Sequence, residues 1–151
     1  MMRIKIGELN QIRAHSEKVY PEECCGLLLG EITNQGKKVL EIRETENSWN
    51  EEEAECFQES GSKRNRFSIA PATMVKVQKE ARDRSLEIIG IYHSHPDHQA
   101  IPSAFDKAIA WPSYSYIIVS VEKGKVNQIL SWTLDEHHQF QTEEILTNCE
   151  D

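Results

Sequence analysis

The sequence predicts an α/β fold, α+β-like in that helices and strands are mixed along one domain of residues 1–151. Three observations carry that reading. Leu9, Ile12, Ser16 and Val19 recur at a helical period, residues 86–95 are rich in β-branched side chains, and three strand-like stretches with an antiparallel look close the chain. A chain of 151 residues buries roughly 68–70% of the surface its unfolded form exposes, enough for a substantial core.

Taken in order, residues 8–20 read as an amphipathic helix that Pro21 stops. The apolar run Cys25-Gly26-Leu27-Leu28-Leu29 ends at Gly30 and suits a buried strand. A second strand over 38–46 follows the turn-forming Asn34-Gln35-Gly36, so the two are expected to pair as a hairpin. From 47 to 66 the pattern dissolves into Glu51, Glu52, Glu53, Glu55 and Glu59, then Gly61, Lys63, Arg64 and Arg66; this reads as a solvated loop insertion. Phe67-Ser68-Ile69 predicts a short strand, and Pro71 opens a helix to about residue 84 with Met74, Val77 and Ala81 on one face. Pro96 ends the strand over 86–95, residues 97–102 form a loop, and 103–111 form a short helix. Strands over 114–122, 125–134 and 139–146 follow, with Lys123-Gly124 as the first turn.

Composition narrows the function. Charged residues make up 28% and apolar residues 38%, ordinary for a globular domain. The formal charge of −8 argues against general affinity for nucleic acid or an anionic membrane, both of which call for a basic surface. No apolar run approaches the ~18–20 residues of a membrane span and the first residues lack a secretory signal, so a cytoplasmic location is expected. Cys24, Cys25, Cys56 and Cys149 form no C-x-x-C pair and are read as reduced thiols.

The chemistry is concentrated downstream. Side chains two apart on a strand share a face, with Cα atoms roughly 6.5–7 Å apart, so His93 and His95 can converge on one ion. By parity they continue the face of Ile89 and Ile91. Ser103-Ala104-Phe105-Asp106 is a helix N-cap signature, and a capped helix start is a rigid base from which to aim a carboxylate at a cation. Two imidazoles and a carboxylate leave the fourth position of tetrahedral zinc open, as in catalytic rather than structural sites. Such a site needs a nearby carboxylate as base, and Glu22 and Glu23 are candidates.

An acid shortly before Gly26-Leu27-Leu28-Leu29-Gly30, then His93-Ser94-His95-Pro96, then Ser103-x-x-Asp106 together resemble the signature of the JAMM (MPN-plus) metalloproteases, in their stand-alone bacterial-type form. The resemblance implies a cytidine-deaminase-like JAMM/MPN architecture, with a mixed, mostly antiparallel, curved sheet flanked by helices. It implies Zn²⁺ on His93, His95 and Asp106, with Glu23 as general acid/base, because the family's glutamate stands three residues before the first glycine, here Gly26. Ser103 is then expected to polarise the scissile carbonyl. The implied activity is that of a deubiquitinase-like isopeptidase acting on the C-terminal tail of a ubiquitin-like sulfur-carrier protein, with residues 47–66 where relatives carry a substrate-contacting loop.

Two alternatives remain to be weighed against the structure. His93-Ser94-His95-Pro96-Asp97-His98 also spells the H-x-H-x-D-H zinc motif of the metallo-β-lactamase fold, although only His137 and His138 follow as later histidines. A non-catalytic module that recognises ubiquitin-like partners is the other. His15, His98, His137 and His138 read as surface residues, and Tyr92, Trp111 and Trp132 as packing residues.

Overall fold

A computed structural model describes residues 1–147, so the reading of Cys149 lies outside the described residues. Strands Met2–Ile4 (β1), Cys25–Thr33 (β2), Gly36–Thr45 (β3), Glu87–Pro96 (β4), Ser115–Glu122 (β5), Lys125–Leu134 (β6), Phe140–Glu143 (β7) and Ile145–Thr147 (β8) form one sheet in the order β7-β6-β5-β4-β2-β3-β1-β8. Helices Ile6–Val19 (α1), Glu51–Phe57 (α2), Pro71–Asp83 (α3) and Ala104–Ile109 (α4) surround it. β2 and β3 form the expected hairpin, as do β5 and β6. Pairing is antiparallel except for β1 with β3, β1 with β8, and β4 with β5.

The parallel β4–β5 pair places the site. Parallel neighbours cannot be joined by a tight turn, so the chain makes a crossover between Pro96 and Ser115, and α4 lies on it. That detour carries Ser103 and Asp106 back over the end of β4.

β2 is buried on both sides, which explains its unbroken apolar run. Leu28 faces α1 in a core with Leu9, Ile12, Val39, Ile42, Ile89, Tyr92, Ile117 and Val119. Leu27 and Leu29 face α3 with Val77, Ala81, Ile88 and Ile91. Ile89 and Ile91 therefore lie on opposite faces, contrary to the parity expectation. The register slips where Leu28 pairs Gly90 but Leu29 pairs Ile88, leaving Ile89 as the extra residue of a β-bulge. His93 and His95 continue the face of Ile91 alone.

Tyr92 pairs with Gly26 across β2 and β4. A Cβ at residue 26 would collide with the Tyr92 ring, so glycine lets that ring lie across the strand. Its hydroxyl reaches His15 Nδ1 at 2.7 Å. His15 is thus buried beneath α1 rather than on the surface, one helical turn beyond Ile12. Trp111, in contrast, is 65% exposed instead of packed.

The 47–66 stretch is more ordered than a solvated loop. α2 is capped by Asn50, whose side chain accepts the Glu53 N–H at 2.9 Å, and Glu51, Glu52 and Glu53 suit its positive end. Phe67-Ser68-Ile69 forms no strand. Ser68 donates its N–H to the Asn47 side chain and its carbonyl accepts the Ser48 N–H, so this backbone is tied to the insertion instead of a ladder.

The predicted strand over 139–146 breaks at Glu144 into β7 and β8, which pair at opposite ends of the strand order. One stretch of chain thus holds both ends of the curled sheet. The Glu143 carboxylate accepts the hydroxyls of Ser115 at 2.6 Å and Ser131 at 2.9 Å, while Lys37 Nζ donates to Ser115 Oγ at 2.8 Å. A buried charge with this many donors is satisfied rather than costly.

Candidate metal centre

β4 delivers two imidazoles at its C-terminal end, and α4 delivers a carboxylate from its first turn. His93 Nε2 and His95 Nε2 lie 3.1 Å apart, and Asp106 Oδ2 lies 3.3 Å from the former and 3.2 Å from the latter. All three residues are buried. Tetrahedral zinc with nitrogen and oxygen donors at about 2.0–2.2 Å needs those donors about 3.3–3.5 Å apart, so the triangle fits within a few tenths of an ångström.

The surrounding groups fix each donor. His95 Nδ1 lies 2.8 Å from the Gln99 carbonyl, which can only accept, so Nδ1 carries a proton. His95 Nε2 then faces the Asp106 oxygen at 3.2 Å, where a proton or a metal ion can lie between them. Among the described residues His93 Nδ1 has no hydrogen-bond partner; its ring stacks on Phe67, with centroids 4.4 Å apart and planes at 22°. Burial pushes the His93 imidazole below its usual range, with the neighbouring Asp106 opposing. Burial works to raise the Asp106 carboxyl, but the neighbouring His93 and His95 outweigh it and hold the group far below the usual carboxylate range.

Asp106 is also the third residue of a capping box. Its Oδ2 accepts the Ser103 N–H at 2.9 Å, and Ser103 Oγ accepts the Asp106 N–H at 3.0 Å. The cap reading and the ligand reading of this motif therefore describe one geometry. Ser103 Oγ keeps its own hydrogen to donate.

Glu23 is only 5% exposed, whereas Glu22 is exposed. Its place follows from strand pairing: Cys25 lies opposite His93, and Cys24 N–H donates to Ser94 Oγ at 2.8 Å, which sets residue 23 beside the His95 end of β4. The insertion secures it, since Glu23 N–H donates to the Lys63 carbonyl at 2.7 Å and Asn47 Nδ2 donates to the Glu23 carbonyl at 3.1 Å. Burial, and then the charge of Asp106, push the Glu23 carboxyl well above its usual range, with Arg66 opposing.

Glu23, His95 and Ser103 line one polar cleft of about 550 Å³ together with Asn65, Arg66 and His98. An apolar groove of about 520 Å³ flanks the site, lined by Phe57, Phe67, Ile69, Phe105 and Trp111 among others. Phe67 and Phe105 link it to the donors, one stacked on His93 and the other preceding Asp106. The sequence placed Arg66 only in the insertion and Phe67 only in a short strand, and it gave Asn65 no part; no local pattern marks any of them for the site.

The H-x-H-x-D-H alternative does not assemble. Asp97 turns away at positive φ, accepting the Tyr20 hydroxyl at 2.7 Å and the Lys123 N–H at 2.8 Å. His98 lies in the cleft but outside the triad, and His137 is exposed beside Glu136.

This fold, with such a triangle of donors at the end of β4, is that of the JAB/MPN class. The chain belongs to the prokaryotic homologs of the JAB domain, a family it matches over residues 7–135. It is 33% identical to a desampylase of Pyrococcus furiosus over 120 residues, covering 78% of this chain and 71% of that one. It is 24% identical to the CysO-cysteine peptidase of Mycobacterium tuberculosis over 133 residues, 87% of this chain and 81% of the other. A solution structure of a protein from Desulfitobacterium hafniense superposes with a TM-score of 0.81 at 28% identity, over 99% of this chain and 94% of that one. Among the described residues no helix is long and apolar enough to cross a membrane.

Proposed function

We propose that this chain is a cytoplasmic, zinc-dependent peptidase that hydrolyses a peptide or isopeptide bond at the C-terminal tail of a ubiquitin-like sulfur-carrier protein. The observation that carries this reading is the convergence of His93, His95 and Asp106 donors at 3.1–3.3 Å beside a cleft that also holds Glu23 and Ser103. His93, His95 and Asp106 would hold the ion. When bound, zinc supplies Lewis acidity, which makes water a stronger nucleophile at neutral pH and polarises a carbonyl.

The rest is the work of side chains. Glu23 takes the proton of the attacking water on its carboxylate and returns it to the leaving amine. Its raised proton affinity suits both halves of that transfer, since a base poised nearer neutrality accepts and releases a proton readily. Ser103 Oγ, whose lone pair is engaged by the Asp106 N–H, donates its hydrogen toward the scissile carbonyl oxygen as negative charge develops there. The apolar groove beside Phe67 and Phe105 accepts the extended carrier tail, leading its last residue to the donors. The desampylase and CysO-cysteine peptidase names of the relatives support this class of substrate.

The test is to purify the chain, measure bound metals by mass spectrometry, and incubate it with a carrier bearing a C-terminal adduct. One zinc per chain with release of the adduct is expected. Zinc binding without cleavage of any carrier adduct would favour a non-catalytic binding module.

A further inference from the structure

We propose that Asn47 is a positioning residue for the hydrolysis: its side chain fixes the spacing between the base Glu23 and the donor triangle of His93, His95 and Asp106. This inference rests on the hydrolase reading above and adds to it a residue that acts through the base.

Glu23 stands just outside the sheet ladder, because the pairing of β2 with β4 begins at Cys25 and His93. A carboxylate that must meet a water beside an ion needs its backbone held, and both backbone groups of Glu23 are met from the excursion between β3 and α3. Its N–H donates to the Lys63 carbonyl at 2.7 Å, and its carbonyl accepts Asn47 Nδ2 at 3.1 Å. Asn47 reaches it by register. Gly26 lies opposite Glu44 and Cys25 opposite Thr45 in the β2–β3 hairpin, so continuing that register two places past Thr45 sets residue 47 opposite residue 23. A side chain thereby makes the contact that the backbone ladder no longer makes.

The amide is used to capacity. Nδ2 also donates to the Arg66 carbonyl at 2.9 Å, while Oδ1 accepts the Trp49 N–H at 3.1 Å and the Ser68 N–H at 3.2 Å. Carbonyls only accept and backbone N–H groups only donate, so these four partners fix which way the amide faces. Each partner leads to a member of the site. Arg66 and Ser68 flank Phe67, whose ring stacks on His93 with centroids 4.4 Å apart. Trp49 is buried and meets Phe105 edge-on at 5.3 Å, and Phe105 precedes the ligand Asp106. One half-buried side chain thus joins the base to two of the three donor residues.

The residue type follows from these demands. Aspartate would keep both acceptor bonds yet turn an oxygen toward two carbonyl oxygens, and serine offers one hydroxyl hydrogen for two carbonyls. A misplacement of about 1 Å can cost about 10²-fold in rate, because proton transfer needs the base within hydrogen-bond reach of its water. Loss of the amide therefore lowers turnover without removing a ligand or the base itself.

The experiment uses the zinc-loaded full chain and a glycine-ended ubiquitin-like carrier extended by one amino acid, in a double-mutant cycle of Asn47→Asp with Glu23→Gln. Asn47→Asp keeps the bonds from Trp49 and Ser68 and loses the other two. Alone it should lower kcat by about 10–100-fold, with KM within about threefold of native and full zinc occupancy by metal analysis. Added to Glu23→Gln, it should change the residual single-turnover rate by less than about twofold, because the two residues act as a unit. In the metal-free protein, hydrogen exchange read by mass spectrometry should quicken about tenfold over residues 22–24 and 64–68 and stay unchanged in β4. Asn47→Gln, which carries the same amide one methylene further out, takes the place of Asn47→Asp if that variant does not fold, and the same non-additivity is expected. Equal losses with and without Glu23, a native rate in the Asn47 variant, or a rate that falls only in step with zinc content overturns this inference and leaves the hydrolase reading standing. Failure of the native chain to cleave the carrier overturns the hydrolase reading, and this inference with it.

Discussion

Glu23→Gln tests the proposed division of labour between a base, Glu23, and the ligands His93, His95 and Asp106. The three donor atoms belong to His93, His95 and Asp106 and lie 3.1–3.3 Å apart without any contribution from residue 23, so the variant should bind one zinc as the native protein does. Gln is isosteric and cannot hold the transferred proton, which should lower kcat by about 10²–10⁴, or about 2.7–5.4 kcal/mol in barrier at 1.36 kcal/mol per tenfold. A second signature appears in the metal-free protein. Because burial raises the folded-state proton affinity of Glu23, the native fold holds its proton to higher pH than the unfolded chain does. This group's contribution is therefore full below the unfolded carboxyl range near about 4.3 and is lost as pH rises through its raised folded value. Glu23→Gln removes that loss, so its urea midpoint should fall less from pH 4 to neutrality than that of the native protein. Metal content by mass spectrometry, single-turnover cleavage and urea titrations at several pH values check the three parts. Turnover within threefold of native at full zinc occupancy would refute the base assignment, and zinc loss in step with activity would refute the separation of roles.

Other substitutions probe the remaining parts of the site. Asp106→Ala leaves two imidazoles and should abolish zinc retention through dialysis, as read by metal analysis. Ser103→Ala removes the cap on the Asp106 N–H and should cost about 0.5–2 kcal/mol of stability in urea, with a further loss of about 10²–10³ in kcat if its hydroxyl serves the oxyanion. Asp97→Ala combined with His98→Ala should keep full zinc occupancy, because neither side chain enters the triad. Tyr92→Phe strands the buried His15 Nδ1 and should cost about 1–3 kcal/mol, lowering the Tm by about 2–12 °C at this chain length in scanning calorimetry.

What the sequence revealed was local. His93 and His95 are legible because a strand repeats every two residues, and Ser103-x-x-Asp106 because a capping box has fixed offsets. The bulge at Ile89 is not, since it is a mismatch between two strands and neither one encodes it alone. Glu23 meets the histidines only through the pairing of β2 with β4, some seventy residues apart in sequence, so its proposed role rests on resemblance and not on spacing. α2 had a readable start in Asn50-x-x-Glu53, obscured by the density of charge around it. His15 stands on the buried stripe of α1, yet its polarity suggested solvent because its partner Tyr92 could not be seen. Arg66 and Phe67 owe their place to the tethering of the insertion by Asn47, which no pattern of residue types foretells.

The outermost strands of the sheet, β7 and β8, are four and three residues long and joined through the single residue Glu144. Among the described residues, these short terminal strands of one bent segment present no long row of bare amides to another molecule. Copies of the protein are thereby discouraged from stacking edge to edge into aggregates.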